Sequence, residues 1–472
     1  MKPFKVPVLV MIVMVMCLTV CSVRGGLMFK TLVSFTGTNG IYPGAHPYCG
    51  LTLGADGNFY GTTFQGGSNN LGTIYRVAIG GAFTPVLSFN GTNGASPYAA
   101  LTGGGGDNLY GTTYAGGVSN WGTIFLITTN GVFTNLFFFT GTNNPYQGAN
   151  PGAALTQAGD GSFYGTAEYG GLTNASYGGF GYGTIFQLAT NGTVTAPAFF
   201  GNTNGAHPSG GLVLVADGNF YGTTTFGGNG ITGSFPGYGT IFRMSPDGTL
   251  TNLYLFTGFG DGGFIYAGLV QGSDGWLYGG AFNGGSLGYG TLFKVSTNGL
   301  FVPLHTFNNT ESGSPYGGMT EGSDGNFYGT AFGEYAGYGA IFRVTAGGVF
   351  TNLFSFNGGD GSHPDGVLIQ GPDGNFYGTT SQGGANGLGT VFQLGVPLPP
   401  VIKTLTQTNG AVTLSWSAVA GQTYQAQYSD DLTLTNWSYL TSPVVASNGV
   451  MTATDSGATT SSAHRFYRIV LE

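Results

Sequence analysis

Hydrophobic and polar residues alternate in short bursts along most of this chain. The run Phe59-Tyr60-Gly61-Thr62-Thr63 is representative. At a period of two, Phe59, Gly61 and Thr63 share one face of a strand, and Tyr60 and Thr62 share the other. The tyrosine of this run recurs as Tyr110, Tyr164, Tyr221, Tyr278, Tyr328 and Tyr377, at spacings of 50, 54, 57, 57, 50 and 49 residues. Each copy is followed by a glycine-rich stretch and then by an apolar run that opens on glycine, as in Gly72-Thr73-Ile74-Tyr75 and Gly239-Thr240-Ile241-Phe242. Two further runs complete the unit. One ends in phenylalanine, at Phe35, Phe89, Phe139, Phe200, Phe256, Phe307 and Phe356; the other is a short apolar stretch such as 50–53 or 366–369.

Four strand-length runs in a unit of about 50 residues, parted by turn signals, predict one four-stranded antiparallel sheet per repeat. Asp-Gly precedes the tyrosine run in six copies, and Gly106-Asp107 replaces it in the second. Asp-Gly suits a hairpin turn with positive φ. The swapped order keeps a turn but would displace a carboxylate ligand, so these aspartates read as turn formers rather than metal ligands. Seven units predict an all-β, seven-bladed β-propeller over residues 28–395. Inner to outer, its strands are the short run, the Tyr-Gly run, the Gly-Thr run and the Phe-ending run. The chain begins its repeats with an outer run, Lys30 to Phe35, and leaves them after a third strand, Gly389 to Leu394. The N-terminal run is therefore expected to complete the last sheet, which hides an open edge. The glycine face of each Tyr-Gly strand is expected to admit an aromatic ring from the adjacent sheet. A β-helix has shorter coils, and an outer-membrane barrel needs strands of about 9–11 residues.

Composition sharpens this picture. Glycine supplies 92 of 472 residues, which disfavours helix, and aromatics at 14% recur too regularly for a disordered chain. Only 6% of residues are charged. Residues 27–396 hold five Lys and Arg against 15 Asp and Glu, net −10. That balance argues against a nucleic-acid surface and against docking on anionic membrane. Lys2 and Lys5 precede an apolar run, Val6 to Val20, broken only by Pro7 and Thr19. Residues 1–25 read as a secretory signal, cleaved after Ser22 or Gly25. An uncleaved anchor is the alternative, although the run is short of the roughly 20 residues a spanning helix needs. Cleavage leaves Cys49 alone of Cys17, Cys21 and Cys49, so no internal disulfide is possible. An exported monomer with no transmembrane segment is expected, secreted or held at the cell surface or periplasm.

Residues 56–63 (DGNFYGTT), the Gly-Gly that follows, Gly239 to Met244 (GTIFRM) and the Gly-Thr-Asn-Gly linkers at 37–40 and 91–94 resemble the GloVer tandem-repeat family of Gloeobacter and Verrucomicrobia. The resemblance covers about residues 29–394. It implies a bacterial exported protein. Family members carry C-terminal sorting anchors, which Arg468 to Glu472 is not expected to form. Residues 396–402 read as a Pro-rich linker. Beyond it glycine thins out and β-branched alternation appears. Residues 403–472 resemble a small fibronectin type III sandwich, with Trp416 and Tyr424 expected in its core.

In a propeller, ligands gather where the loops leading into the innermost strands meet the loops between second and third strands. Ahead of the lead-in proline stand His46, Ser96, Asn150, His207, Ser314 and His363, while the fifth copy has Ile265-Tyr266. His46 and His363 are expected to adjoin across the closure and His207 to lie opposite, so no three-histidine metal site is expected, and no cofactor. The loop acids Glu168, Asp261, Glu311, Glu334, Asp360 and Asp365 have the chemistry for glycosidic acid–base work, but spacing fixes no pair. Gly284 to Gly288 matches a nucleophile-elbow pattern in a glycine-rich loop rather than a strand-to-helix turn, and reads as chance. The ligand-binding candidates are His46, His207, His363, Glu168, Tyr169, Tyr182, Tyr238 and Glu334; none is assigned a catalytic or metal role. Aromatic, Asn-rich loops with few charges point to a binding scaffold for polysaccharide or a surface protein. A polysaccharide hydrolase or lyase using loop acids or histidine is the alternative.

Overall fold

The computed structural model describes residues 27–471, apart from 142–147, 173–179, 231–236, 335–336, 396–399, 401, 409, 419–422, 431–436, 448 and 458–464. Residues 1–25, expected to be a secretory signal, and most of the expected linker at 396–402 lie outside the described residues. The described residues hold strands and no helix, hence no helix long and apolar enough to cross a membrane. Two compact units emerge, Phe29–Leu394 and a smaller one containing Gly395–Glu472.

The larger unit is a succession of antiparallel sheets, one per repeat. The first orders Thr52–Leu53, Phe59–Thr63, Thr73–Val77 and Phe83–Ser88, each hydrogen-bonded to the next. The second to sixth sheets follow the same order, centred on Asn108–Thr113, Phe163–Tyr169, Phe220–Thr224, Leu277–Ala281 and Phe327–Ala331, the third gaining an extra short strand, Ala149–Pro151. The seventh joins Ile369–Gln370, Phe376–Thr380 and Thr390–Gly395 to the N-terminal strand Met28–Ser34. Past the end of that strand the Phe35 N–H donates to Gly389 O at 3.1 Å. The outer run thus lies beside the last third strand, as the order of runs predicts.

Each second strand is buried on both faces, because sheets stack on one another. The tyrosine of one sheet meets the large apolar residue at the start of the second strand of the next, leucine for Tyr60 and Tyr221 and phenylalanine elsewhere. Tyr110 lies 4.2 Å from Phe163, Tyr164 4.3 Å from Phe220, and Tyr278 3.7 Å from Phe327, centroid to centroid. Threonines also stitch consecutive sheets: Thr62 Oγ1 donates to Ala99 O, Thr166 Oγ1 to Gly210 O, and Thr223 Oγ1 to Ala267 O. Such side-chain bonds contribute about 1 kcal/mol each.

The glycine face differs from expectation. A Cβ on Gly222 would stand 2.6 Å from Phe242, and one on Gly279 2.6 Å from Phe293. These rings belong to the third strand of the same sheet, where Gly222 pairs with Phe242 and Gly279 with Phe293. The ring folds back over its cross-strand partner because directly opposed Cβ positions are only about 5 Å apart. Neighbouring sheets interlock through the tyrosine face instead.

The Asp-Gly turns close on that tyrosine. Asp217 Oδ1 accepts the Asn219 N–H while Oδ2 accepts the Tyr221 hydroxyl at 2.6 Å. Asp56–Tyr60, Asp274–Tyr278, Asp324–Tyr328 and Asp373–Tyr377 repeat the latch. In the third copy Asp160 holds Ser162. These carboxylates satisfy buried hydroxyls, and no group of three metal-ligating side chains occurs among the described residues.

The smaller unit holds two sheets. Ala411–Ser417 is flanked by Ile402–Thr408 and Val450–Asp455; Thr423–Ser429 pairs with Ser438–Tyr439, Val444–Val445 and Phe466–Leu471. Leu414, Trp416, Tyr424, Ala426 and Ile469 pack together as its core. Arg465 ties the unit by ion pairs to Asp455 at 2.8 Å and Asp430 at 3.0 Å.

Candidate functional site

Seven lead-in loops reach their sheets through one backbone device. His46, Ser96, Asn150, His207, Phe264, Ser314 and His363 all have φ between 51° and 65°, a left-handed conformation uncommon outside glycine. Several of these side chains brace the preceding sheet. His46 Nδ1 lies 2.9 Å from Ser381 O, Asn150 Nδ2 donates to Tyr114 O at 2.9 Å, and the His363 ring packs on Phe332 at 4.4 Å. Burial lowers the His363 pKa, favouring neutral imidazole. His46 and His363 act as struts at these joints rather than converging on one ligand.

Two residues further on, the chain presents Tyr48, Tyr98, Gly152, Ser209, Tyr266, Tyr316 and Asp365. The four tyrosines come together, half-buried, from sheets far apart in sequence. Tyr48 stacks on Tyr98 at 5.1 Å and Tyr266 on Tyr316 at 4.9 Å. The two stacks meet where the Tyr98 and Tyr316 hydroxyls lie 2.6 Å apart. Phe64, Phe282 and Phe332, each just past a second strand, back them edge-on or tilted. Burial raises the hydroxyl pKa of both Tyr98 and Tyr316 far above the usual phenol range, so the bridge is uncharged.

Polar groups fill the remaining positions. Asp365 is 5% exposed, and its Oδ2 has no hydrogen-bond partner among the described residues. Burial pushes its carboxyl up to about 8, with a Ser381 hydrogen bond offsetting part of the rise. On the third sheet, Glu168 Oε2 accepts the Tyr114 hydroxyl at 2.9 Å. Glu168 Oε1 lies 3.8 Å from His207 Nδ1, and the His207 ring meets Tyr169 edge-on at 5.0 Å. Tyr169 in turn meets Phe180, and Phe180 meets Trp121.

Three candidates from the sequence, Glu168, Tyr169 and His207, are thus brought together. The others are not. Tyr182 is 5% exposed in the core beside Phe200 and Phe220. Tyr238 packs over Gly258 and Phe264, and Glu334 is exposed. No Lys or Arg occurs in any lead-in loop or any loop between second and third strands. Arg76, Arg243, Lys294 and Arg343 pair in register with the buried tyrosines near the Asp-Gly turns, at the other end of the sheets.

A family model described as the Gloeobacter/Verrucomicrobia repeat matches residues 19–177 and 231–439. No curated protein matches the chain in sequence. Similar solved structures include a Bacteroides fragilis protein provisionally assigned as a 6-phosphogluconolactonase, 13% identical, TM-score 0.45, covering 86% of this chain and 97% of its own. A gluconolactonase from Xanthomonas campestris is 10% identical, TM-score 0.40, covering 79% and 91%. The β-propeller domain of the trilobed protease from Pyrococcus furiosus is 9% identical, TM-score 0.40, covering 71% and 89%. These likenesses carry no argument about chemistry.

Proposed function

We propose, for a chain that belongs to the Gloeobacter/Verrucomicrobia repeat family, that it is an exported seven-bladed β-propeller with a fibronectin type III-like module, binding polysaccharide across a tyrosine-lined mouth. Support for the closed ring comes from contacts between the first and seventh sheets that repeat those between consecutive sheets. Thr379 Oγ1 donates to Cys49 O at 2.6 Å, and a Cβ on Gly389 would meet Pro47 just as one on Gly72 would meet Pro97.

The observation that carries the binding reading is the paired tyrosine stacks around the Tyr98–Tyr316 bridge, on a face whose loops hold no cation. Half-open aromatic rings stack on the C–H faces of sugars, and their hydroxyls exchange hydrogen bonds with sugar hydroxyls. A face that bears carboxylates without Lys or Arg disfavours polyanionic glycans. The acid–imidazole contacts, Glu168 with His207 at 3.8 Å and Glu311 with His305 at 3.0 Å, each set a carboxylate against an imidazole rather than against the second carboxyl that glycosidic acid–base catalysis uses.

Affinity electrophoresis of the mature protein through gels containing β-glucan, xylan, galactomannan, alginate or pectate tests the reading. Retardation in a β-glucan, xylan or galactomannan gel but not in alginate or pectate, abolished in a Tyr98→Ala, Tyr316→Ala variant that still folds, is expected. Migration unaffected by every glycan would overturn it.

A further inference from the structure

The tyrosine mouth lacks a ring on two adjacent sheets. Tyrosine stands two residues past the left-handed strut on sheets one, two, five and six, whereas sheets three and four carry Gly152 and Ser209 there. Neither backbone nor packing asks for glycine at 152. Its φ lies outside the left-handed region, and a Cβ would meet nothing nearer than Tyr114 at 4.0 Å. At Gly165, on the same sheet, a Cβ would stand 2.4 Å from Phe186. Gly165 is a packing glycine; Gly152 leaves space unfilled. The Ser209 side chain is short and engaged, its Oγ 3.0 Å from Thr225 Oγ1.

Aromatic rings bound this space on two sides. Tyr98 stacks on Tyr48 through one face, and Tyr266 stacks on Tyr316 through one face. Those partners belong to sheets one and six, away from the gap, so the other faces of Tyr98 and Tyr266 turn towards sheets three and four. Tyr114 meets Tyr98 only at a tilt, 6.3 Å away, and Phe282 meets Tyr266 edge-on. Burial first, with the Glu168 charge among the lesser causes, raises the hydroxyl pKa of both Tyr98 and Tyr266. One carboxylate on sheet three is thus felt on both sides of the gap. Close-packed backbone floors it: a Cβ on Gly211 would lie 3.4 Å from Ala154 O, and one on Gly268 2.6 Å from Gly211 O.

We propose that this gap is the central sugar subsite: it takes one uncharged pyranose ring, seated over Gly152 against the free face of Tyr98, with Tyr266 bounding the far side. The assignment rests on the polysaccharide reading and deepens it. A pyranose is close in size to a tyrosine ring, so it fits where sheet three lacks one and stacks on Tyr98 much as Tyr48 does on the opposite face. Its C–H face meets the π face, and its hydroxyls face the polar groups of sheets three and four. Loops without Lys or Arg, and Glu168 beside the gap, favour a neutral unit over a uronate. Gly152 is then the residue that decides specificity, because it keeps the subsite open.

Filling the gap tests it, by affinity electrophoresis of the full chain through β-glucan, xylan and galactomannan gels, with melting temperature as the control for folding. Gly152→Tyr supplies the side chain that four other sheets already carry. It is expected to melt with the parent and to bind about tenfold or more weakly. Gly152→Ala, which leaves most of the space open, is expected to stay within about twofold of the parent. Should Gly152→Tyr melt early, Gly152→Leu repeats the test with a smaller plug and the same expected loss. A folded, filled variant retarded as strongly as the parent overturns the subsite and leaves the polysaccharide reading standing. A parent protein retarded by none of the gels overturns both.

Discussion

The ring of Tyr377, in the last sheet, lies 4.3 Å from the ring of Phe59, in the first. Tyr328 and Phe376, in consecutive sheets, lie 4.2 Å apart in the same relationship. Residues 318 positions apart in sequence therefore make the contact that neighbours make elsewhere. Phe59→Ala and Tyr377→Ala are each expected to cost about 3–5 kcal/mol, as for other buried aromatics. The double variant should cost less than their sum by about 0.5–1.5 kcal/mol, the coupling of a packed aromatic pair. Denaturant unfolding of the four proteins checks this.

Tyr221→Phe removes only the hydroxyl that Asp217 accepts at 2.6 Å, and should cost about 1 kcal/mol. Asp217→Ala should cost more, since it also frees the Asn219 N–H. Because these carboxylates serve hydroxyls, a chelator is expected to leave the melting temperature unchanged. A chelator-induced drop would assign the turns to metal.

Gly222→Ala should destabilise by about 1–3 kcal/mol, the cost of overpacking, because its Cβ would meet Phe242 at 2.6 Å. Pairing it with Phe242→Leu should recover part of the loss. Equal melting curves for Gly222→Ala and the parent protein would contradict the cross-strand arrangement.

Asp365 gives a pH signature. Its carboxyl titrates near 3.8 when unfolded and at about 8 in the fold. Below about 4 both states are protonated and the group contributes nothing. From there to about 8 the unfolded chain ionises first, so stability falls as pH rises, and above about 8 the loss is constant. Asp365→Asn stays neutral throughout and should flatten the stability curve between pH 4 and 8. Melting temperatures across that range decide it.

The sequence showed the repeats, their turns and the N-terminal strand's place because each rests on local pattern: period two, Asp-Gly, and a count of runs. The ring over Gly222 was misassigned because alternation within one strand says which residues share a face, not which strand supplies the covering ring. Glu168, Tyr169 and His207 were found through their loop positions. The tyrosine stacks were not, although His46-Pro47-Tyr48, Ser96-Pro97-Tyr98 and Ser314-Pro315-Tyr316 carried a visible signal. The proline marks the turn into each strand, but the pattern within one loop does not show that tyrosines from four sheets meet. Tyr182 shows the converse: a loop tyrosine in the sequence, drawn into the core by the strand that follows it.

The proposed mouth depends on the proposed closure of the ring, since Tyr48 and Asp365 flank the joint between first and last sheets. Native-state hydrogen exchange at the Phe35 amide, bonded to Gly389 O at 3.1 Å, tests it most directly. Exchange as slow as that of the Val391 to Leu394 amides, lost in the same cooperative unfolding step, is the predicted result. Fast exchange of Phe35 while the seventh sheet stays protected would contradict it.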